Sequence, residues 1–161
     1  MTKSLISYLS SEAGIPQKYR NSIPSDFHDH SEIGIPWDDA AAFKAWIREY
    51  PIISINGDGG SGKTLLASML MMRCMAVFQN PWSMPGNYYY EKSTEFEYEE
   101  FRTSQFIVVD NLERNHNATL YANAIADREE AGRFTILASR NDWASANLQA
   151  RVNETRVLRL V

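Results

Sequence analysis

Gly57-Asp58-Gly59-Gly60-Ser61-Gly62-Lys63-Thr64 satisfies the pattern G-x-x-x-x-G-K-[ST] at every constrained position. The residue types follow from what a phosphate chain needs. Glycines let the backbone turn tightly enough for successive N–H groups to converge on a β-phosphate, and a helix opening near Lys63 adds its positive end. Lys63 reaches the β- and γ-phosphates, and the Thr64 hydroxyl is suited to ligate Mg²⁺. A glycine-rich turn can arise by chance, so the flanks decide. Ile52-Ile53-Ser54-Ile55 reads as a buried strand running into the glycines. Leu65 to Phe78, with Leu66, Met69, Leu70, Met72, Met75 and Val77, reads as a helix apolar on nearly every side. Strand, loop and helix in that order are the context a phosphate loop requires.

Downstream, Phe106-Ile107-Val108-Val109-Asp110 is an apolar strand ending in a carboxylate. Asp110 is placed to hold Mg²⁺ through water, opposite Thr64, although a surface Asp at a strand end is the plainer reading of the same residues. The next residue is Asn111. An amide can orient a water molecule but cannot take its proton, so slow hydrolysis or binding used as a switch is expected. Glu113, two positions on, is the alternative base, with less suitable strand-end geometry.

Working outward, Pro36-Trp37-Asp38-Asp39 opens a helix, with acidic residues where a helix N-terminus favours negative charge. Ala40, Phe43, Ala45, Trp46 and Ile47 give its apolar side, and Pro51 ends it. The helix after the loop is expected from Gly62 to about Gln79. Tyr88 to Tyr90, Phe134 to Leu137 and Arg156 to Leu160 read as further strands. Thr119 to Glu130, stopping at Gly132, and Ala144 to Val152 read as helices. Strands alternating with helices imply an α/β fold: a P-loop NTPase core in three layers, a parallel sheet with helices on both faces. Residues 1–35, rich in Ser, Pro, His and Gly, read as an N-terminal arm with one short helix, and 36–161 as the ATPase core.

The 161 residues suffice for one core, and 44% hydrophobic with 22% charged residues is ordinary globular composition. A net charge of −4 argues against a strong autonomous grip on DNA, which needs many phosphate-neutralising cations. Cys74 is the single cysteine, which rules out an internal disulfide and suits a reducing cytosol. The first residues carry one positive charge and no sustained apolar run, so no secretory signal is read there. Leu65 to Phe78, interrupted by Arg73, is too short to span a bilayer. A cytoplasmic protein without a membrane partner is expected.

Several segments together resemble the AAA+ clade of replication initiators and helicase loaders, near DnaC, the transposition helper IstB and the DnaA-related Hda. Gly14-Ile15-Pro16-Gln17-Lys18-Tyr19-Arg20 resembles the loaders' IP-x-x-Y/F-R entry, which lies near the adenine in that clade. Gly62-Lys63-Thr64-Leu65-Leu66-Ala67 is similar to their GKT-x-LA, and Val109-Asp110-Asn111-Leu112 to the Asp-Asn variant of Hda. Leu120 to Ser139 resembles the run into sensor 1. Leu148-Gln149-Ala150-Arg151-Val152 resembles the box carrying the arginine finger. These matches take in nearly the whole chain in the clade's order.

The resemblance implies ATP and Mg²⁺ as cofactors, self-association on ATP, and sensor 1 within Ser139 to Asn141. Arg151 would reach the γ-phosphate of a neighbouring subunit; a solvated helix-end arginine is its plainer reading. Catalytic candidates are therefore Lys63, Asp110, Asn111 and Arg151, and the metal candidates are Thr64 and Asp110. The chain also departs from the clade. It ends at Val161 just after the last strand, so a helical lid and a sensor 2 arginine are not expected. No DnaA-type DNA-binding domain is read, and only about a dozen residues precede Gly14. The small size points to a phage or mobile-element version.

The function implied is an ATP-binding accessory factor in DNA replication, a DnaC-like loader of a replicative DNA helicase, with weak or indirect contact to single-stranded DNA. An IstB-like transposition ATPase is one alternative. A small-molecule kinase is another, against which stands the lack of a lid or acceptor-site arginine cluster after the loop. His28 and His30 in a polar segment match no defined metal-site spacing and read as solvated. The acidic, aromatic stretch from Glu95 to Phe101 reads as a solvated face or a protein-binding one. Tyr88 to Tyr90 alternate faces in a strand, so core plus surface is favoured over stacking on bases.

Overall fold

The computed structural model of the chain describes residues 14–21, 34–78, 87–89, 103–104, 106–110, 118–140 and 156–160. Helix α1 spans Ala40–Glu49, strand β1 Ile52–Asn56 and helix α2 Lys63–Phe78. Strands β2 (Asn87–Tyr89) and β3 (Phe106–Val109) follow, then helix α3 (Ala118–Glu130), β4 (Phe134–Ser139) and β5 (Arg156–Arg159). These strands form one sheet in the order β2-β3-β4-β1-β5, with every neighbouring pair parallel. The expected α/β architecture is present, and the strand expected at Tyr88 to Tyr90 begins one residue earlier. The helix expected at Ala144 to Val152 lies outside the described residues.

Strand alternation splits the buried side chains into two layers. Ile53, Ile55, Phe106, Val108, Phe134, Ile136 and Ala138 join one cluster with residues of α1 and α2. Their intervening neighbours Ile52, Ser54, Ile107, Val109, Thr135 and Leu137 are buried outside that cluster, on the face where α3 lies. Since both faces are covered, the strands read as continuous apolar runs, as parallel sheets require. Helix α2 is buried from Lys63 to Val77 on most of its circumference because the sheet covers one side and α1 with the Gln17–Tyr19 turn covers the other. Ile15 is fully buried in this cluster, and Tyr19 packs against it. Residues 15–19 are thus fastened to the core.

The helix ends have local causes. The Asp39 carboxylate accepts the Ala42 N–H at 3.0 Å and caps α1, a contact generally worth about 1 kcal/mol. Phe43 and Ile47, one turn apart, are its buried residues. At the end of α3, Gly132 adopts φ +68°, and the N–H groups of Gly132 and Arg133 return to Glu129 and Arg128 at 3.0 and 2.9 Å. That left-handed stop is one glycine takes without a Cβ penalty.

Arg128, in the last turn of α3, has no exposed surface. Its guanidinium donates to the Thr135 hydroxyl (2.7 Å) and to the carbonyls of Ser104 (2.6 Å) and Phe134 (2.7 Å). It ties α3 to the starts of β3 and β4, at the edge of the sheet opposite the phosphate loop. Cys74 is also buried, which pushes its thiol pKa well up against the smaller opposing influence of Arg73. A buried, protonated thiol is a packing group rather than a nucleophile. Among the described residues no helix is long and apolar enough to cross a membrane, and no cluster of three or more metal-ligating side chains occurs.

Candidate nucleotide site

Strand β1 delivers the chain to the phosphate loop at the C-terminal edge of the sheet, where parallel α/β folds bind ligands. The edge is fixed by backbone bonds on both sides of β1. Gly57 N–H donates to Ser139 O at 3.3 Å and Leu160 N–H to Asn56 O at 2.8 Å. The Ser139 hydroxyl adds a buried bond to the Asn56 side-chain oxygen at 3.0 Å, clamping the ends of β4 and β1 together.

Within the loop the glycines are required by different constraints. Gly60 and Gly62 sit at φ +80° and +93°, a region side chains rarely adopt. A Cβ on Gly57 would stand 2.5 Å from Ser61 Oγ and 3.0 Å from Leu160 O. A Cβ on Gly59 would stand 2.7 Å from Arg140 Nη2. Ser61 Oγ is buried and has no hydrogen-bond partner among the described residues, an orphaned donor inside the loop. A phosphate oxygen is the chemistry that would satisfy it.

Lys63 and Thr64 form the first turn of α2, which begins at Lys63, one residue later than the sequence implied. The Lys63 ammonium donates back to Asp58 O at 2.7 Å, so it lies across its own loop. The Thr64 hydroxyl donates to Asp110 Oδ2 at 2.6 Å. Asp110, directly after β3, is 1% exposed. Strand β4 separates β3 from β1, yet the N-terminal turn of α2 carries Thr64 across to it. A hydroxyl and a carboxylate meeting beside the loop are the hard oxygen donors Mg²⁺ selects, so the residues fit that ion. They would hold it where it screens phosphate charge.

These groups open onto a cavity of about 290 Å³ whose lining includes Tyr19, Gly60, Lys63, Thr64, Leu65 and Arg140. Of the segment from Ser139 to Asn141, Ser139 turns to Asn56 and Arg140 turns to the loop, while Asn141 is outside the described residues. Arg140 falls within the span expected for sensor 1, but nothing in the sequence distinguishes it from Ser139 or Asn141. The available signal was its position, since a residue immediately after a strand adjacent to β1 must emerge beside the loop. Asn111, Glu113, Arg151, His28, His30 and the Glu95 to Phe101 stretch also lie outside the described residues.

No protein-family model and no characterised protein sequence matches the chain. Solved structures do. A DNA replication initiation factor superposes with a TM-score of 0.62 at 15% identity, over 91% of this chain and 50% of that one. AMPPCP-bound DnaA from Aquifex aeolicus gives 0.62 at 17% identity, over 91% of this chain and 51% of that one. The DnaC helicase loader gives 0.59 at 16% identity, over 91% of this chain and all of that one. The chain thus spans about half the length of the first two. At such identities the likeness concerns architecture alone: this chain shares the α/β fold, a parallel sheet with helices packed on it, seen in DnaA and in the DnaC helicase loader.

Proposed function

We propose that the chain is an ATP-binding accessory factor of DNA replication, a DnaC-like loader that works as a nucleotide-dependent switch on a replicative helicase. The observation that carries the nucleotide half is the 2.6 Å bond between Thr64 and Asp110 beside an empty-handed Ser61 hydroxyl and four loop glycines. The replication half rests on the fold shared with a replication initiation factor, DnaA and a helicase loader.

In this reading Gly57 through Thr64 bind the triphosphate of ATP. Thr64 and Asp110 would hold Mg²⁺, which would supply charge neutralisation to the phosphates. Lys63 leaves the Asp58 carbonyl for the phosphates, exchanging a neutral acceptor for a charged one. Asn111 positions water without deprotonating it, so the bound triphosphate persists. Arg151 touches the γ-phosphate of a neighbouring subunit, and ATP thereby promotes association. Action in the cytoplasm on a ring helicase, with only indirect contact to single-stranded DNA, completes the reading.

The test is affinity purification of the tagged chain from its native host with ATP·Mg²⁺, followed by mass spectrometry and reconstitution with the purified partner. A replicative helicase retained with ATP and released by Lys63→Ala is expected. Retention of a transposase, or of no helicase, contradicts the loader reading while leaving the nucleotide site standing.

A further inference from the structure

At the far end of α2 from the phosphate loop, a second set of charged groups lacks an explanation. Fifteen helical steps put Phe78 about 22 Å from Lys63, at the edge of the sheet where β3 and β4 begin. Lys44 and Arg48, one turn apart on α1, hold their cationic groups 5.9 and 5.4 Å from the centre of the Phe78 ring. Arg73 of α2 holds its guanidinium 5.8 Å from the centre of the Phe43 ring, and its Nε is buried without a hydrogen-bond partner. None of the three cations meets a carboxylate among the described residues. Like charges one turn apart destabilise a helix, and among the described residues it is the rings beneath these cations, not an opposite charge, that hold them. Two residues beyond Arg48, Tyr50 is the large hydrophobic residue left exposed among those described, at 43%.

We propose that this α1/α2 ridge, Lys44, Arg48 and Arg73 with Tyr50 two residues beyond Arg48, is a docking surface for an acidic segment of a partner protein. Charge complementarity selects an anion. Arginine and tyrosine are the residues that anchor protein interfaces, and guanidinium groups match carboxylates in a two-pronged fashion. Nucleic acid is the weaker candidate on the same observations. The Phe78 ring is packed by Phe106 and Phe134 and capped by Lys44 and Arg48, and the Phe43 ring by Trp37, Trp46 and Arg73. Neither ring keeps an open face on which a base could stack. Three cations in a chain of net charge −4 also fall short of the many phosphate contacts that sustain DNA affinity. The surface stands apart from the nucleotide site, so it does not depend on the ATP reading.

Fluorescence anisotropy on the full chain at low salt tests this, with fluorescein-labelled octaglutamate and, separately, labelled oligothymidylate as probes. Octaglutamate should bind, weaken as salt rises, and lose about tenfold or more of its affinity in the charge-reversal variant Lys44→Glu/Arg48→Glu. Circular dichroism checks that the variant is folded. If it is not, Lys44→Gln/Arg48→Gln keeps most of the stem packing on Phe78 and should give a smaller loss in the same direction. No octaglutamate binding, or binding that neither variant weakens, overturns the proposal. Tighter binding of oligothymidylate through the same residues also overturns it, because the ridge is then a nucleic-acid surface.

Discussion

The Thr64 hydroxyl donates to the Asp110 carboxylate at 2.6 Å, joining the first turn of α2 to the end of β3 across 46 positions of sequence. The contact places the two oxygen donors side by side where the phosphate loop opens, and Asp110 is too buried to be an ordinary surface carboxylate. Asp110→Asn keeps the shape and removes the charge. We expect ATP affinity with Mg²⁺ to fall by about tenfold or more, while affinity in EDTA changes little. Calorimetry under both conditions checks this. An equal loss in both would make Asp110 a structural residue.

Arg140 is expected to read the terminal phosphate within the same chain, because its guanidinium lies against Gly59 at the mouth of the loop. Arg140→Ala should weaken ATP about tenfold more than it weakens ADP, since a charged hydrogen bond to the extra phosphate is lost. The quantity to measure is the ratio of the two affinities in the isolated protein. An unchanged ratio would mean Arg140 merely covers the loop.

Much of this was readable from residues alone, and the failures have physical causes. The loop, α2, β1 and β3 were legible because glycine spacing, an unbroken apolar helix and a strand ending in Asp110 each leave a local mark. Gly132 marked the stop of α3 for the same reason. Arg128 left none. An arginine in the last turn of a helix reads as solvated, and only the convergence of α3 with the starts of β3 and β4 buries it. Ile15 likewise reads as part of a polar arm until the fold brings it against α2. Arg140 belongs to this class, since its role depends on β4 lying beside β1.

Hydrolysis by the isolated chain should be slow, below about 1 s⁻¹, at the lower edge of ordinary enzymes or under it. This follows from the proposed role of Asn111, whose amide can orient water but cannot take its proton. Phosphate release at saturating ATP·Mg²⁺ measures it. A rate of tens per second without a partner would reveal another base and remove the switch argument.

The account rests most heavily on the phosphate loop, and titration of ATP·Mg²⁺ into the wild-type chain and into Lys63→Ala by calorimetry tests it most directly. Lys63 is the side chain in the loop that carries a charge to match the phosphates, and its ammonium donates to the carbonyl of Asp58, an exposed residue. The account predicts one-site binding by the wild type. It also predicts a loss of about 100-fold or more in Lys63→Ala, with circular dichroism unchanged. Undiminished ATP affinity in a folded Lys63→Ala chain would contradict it.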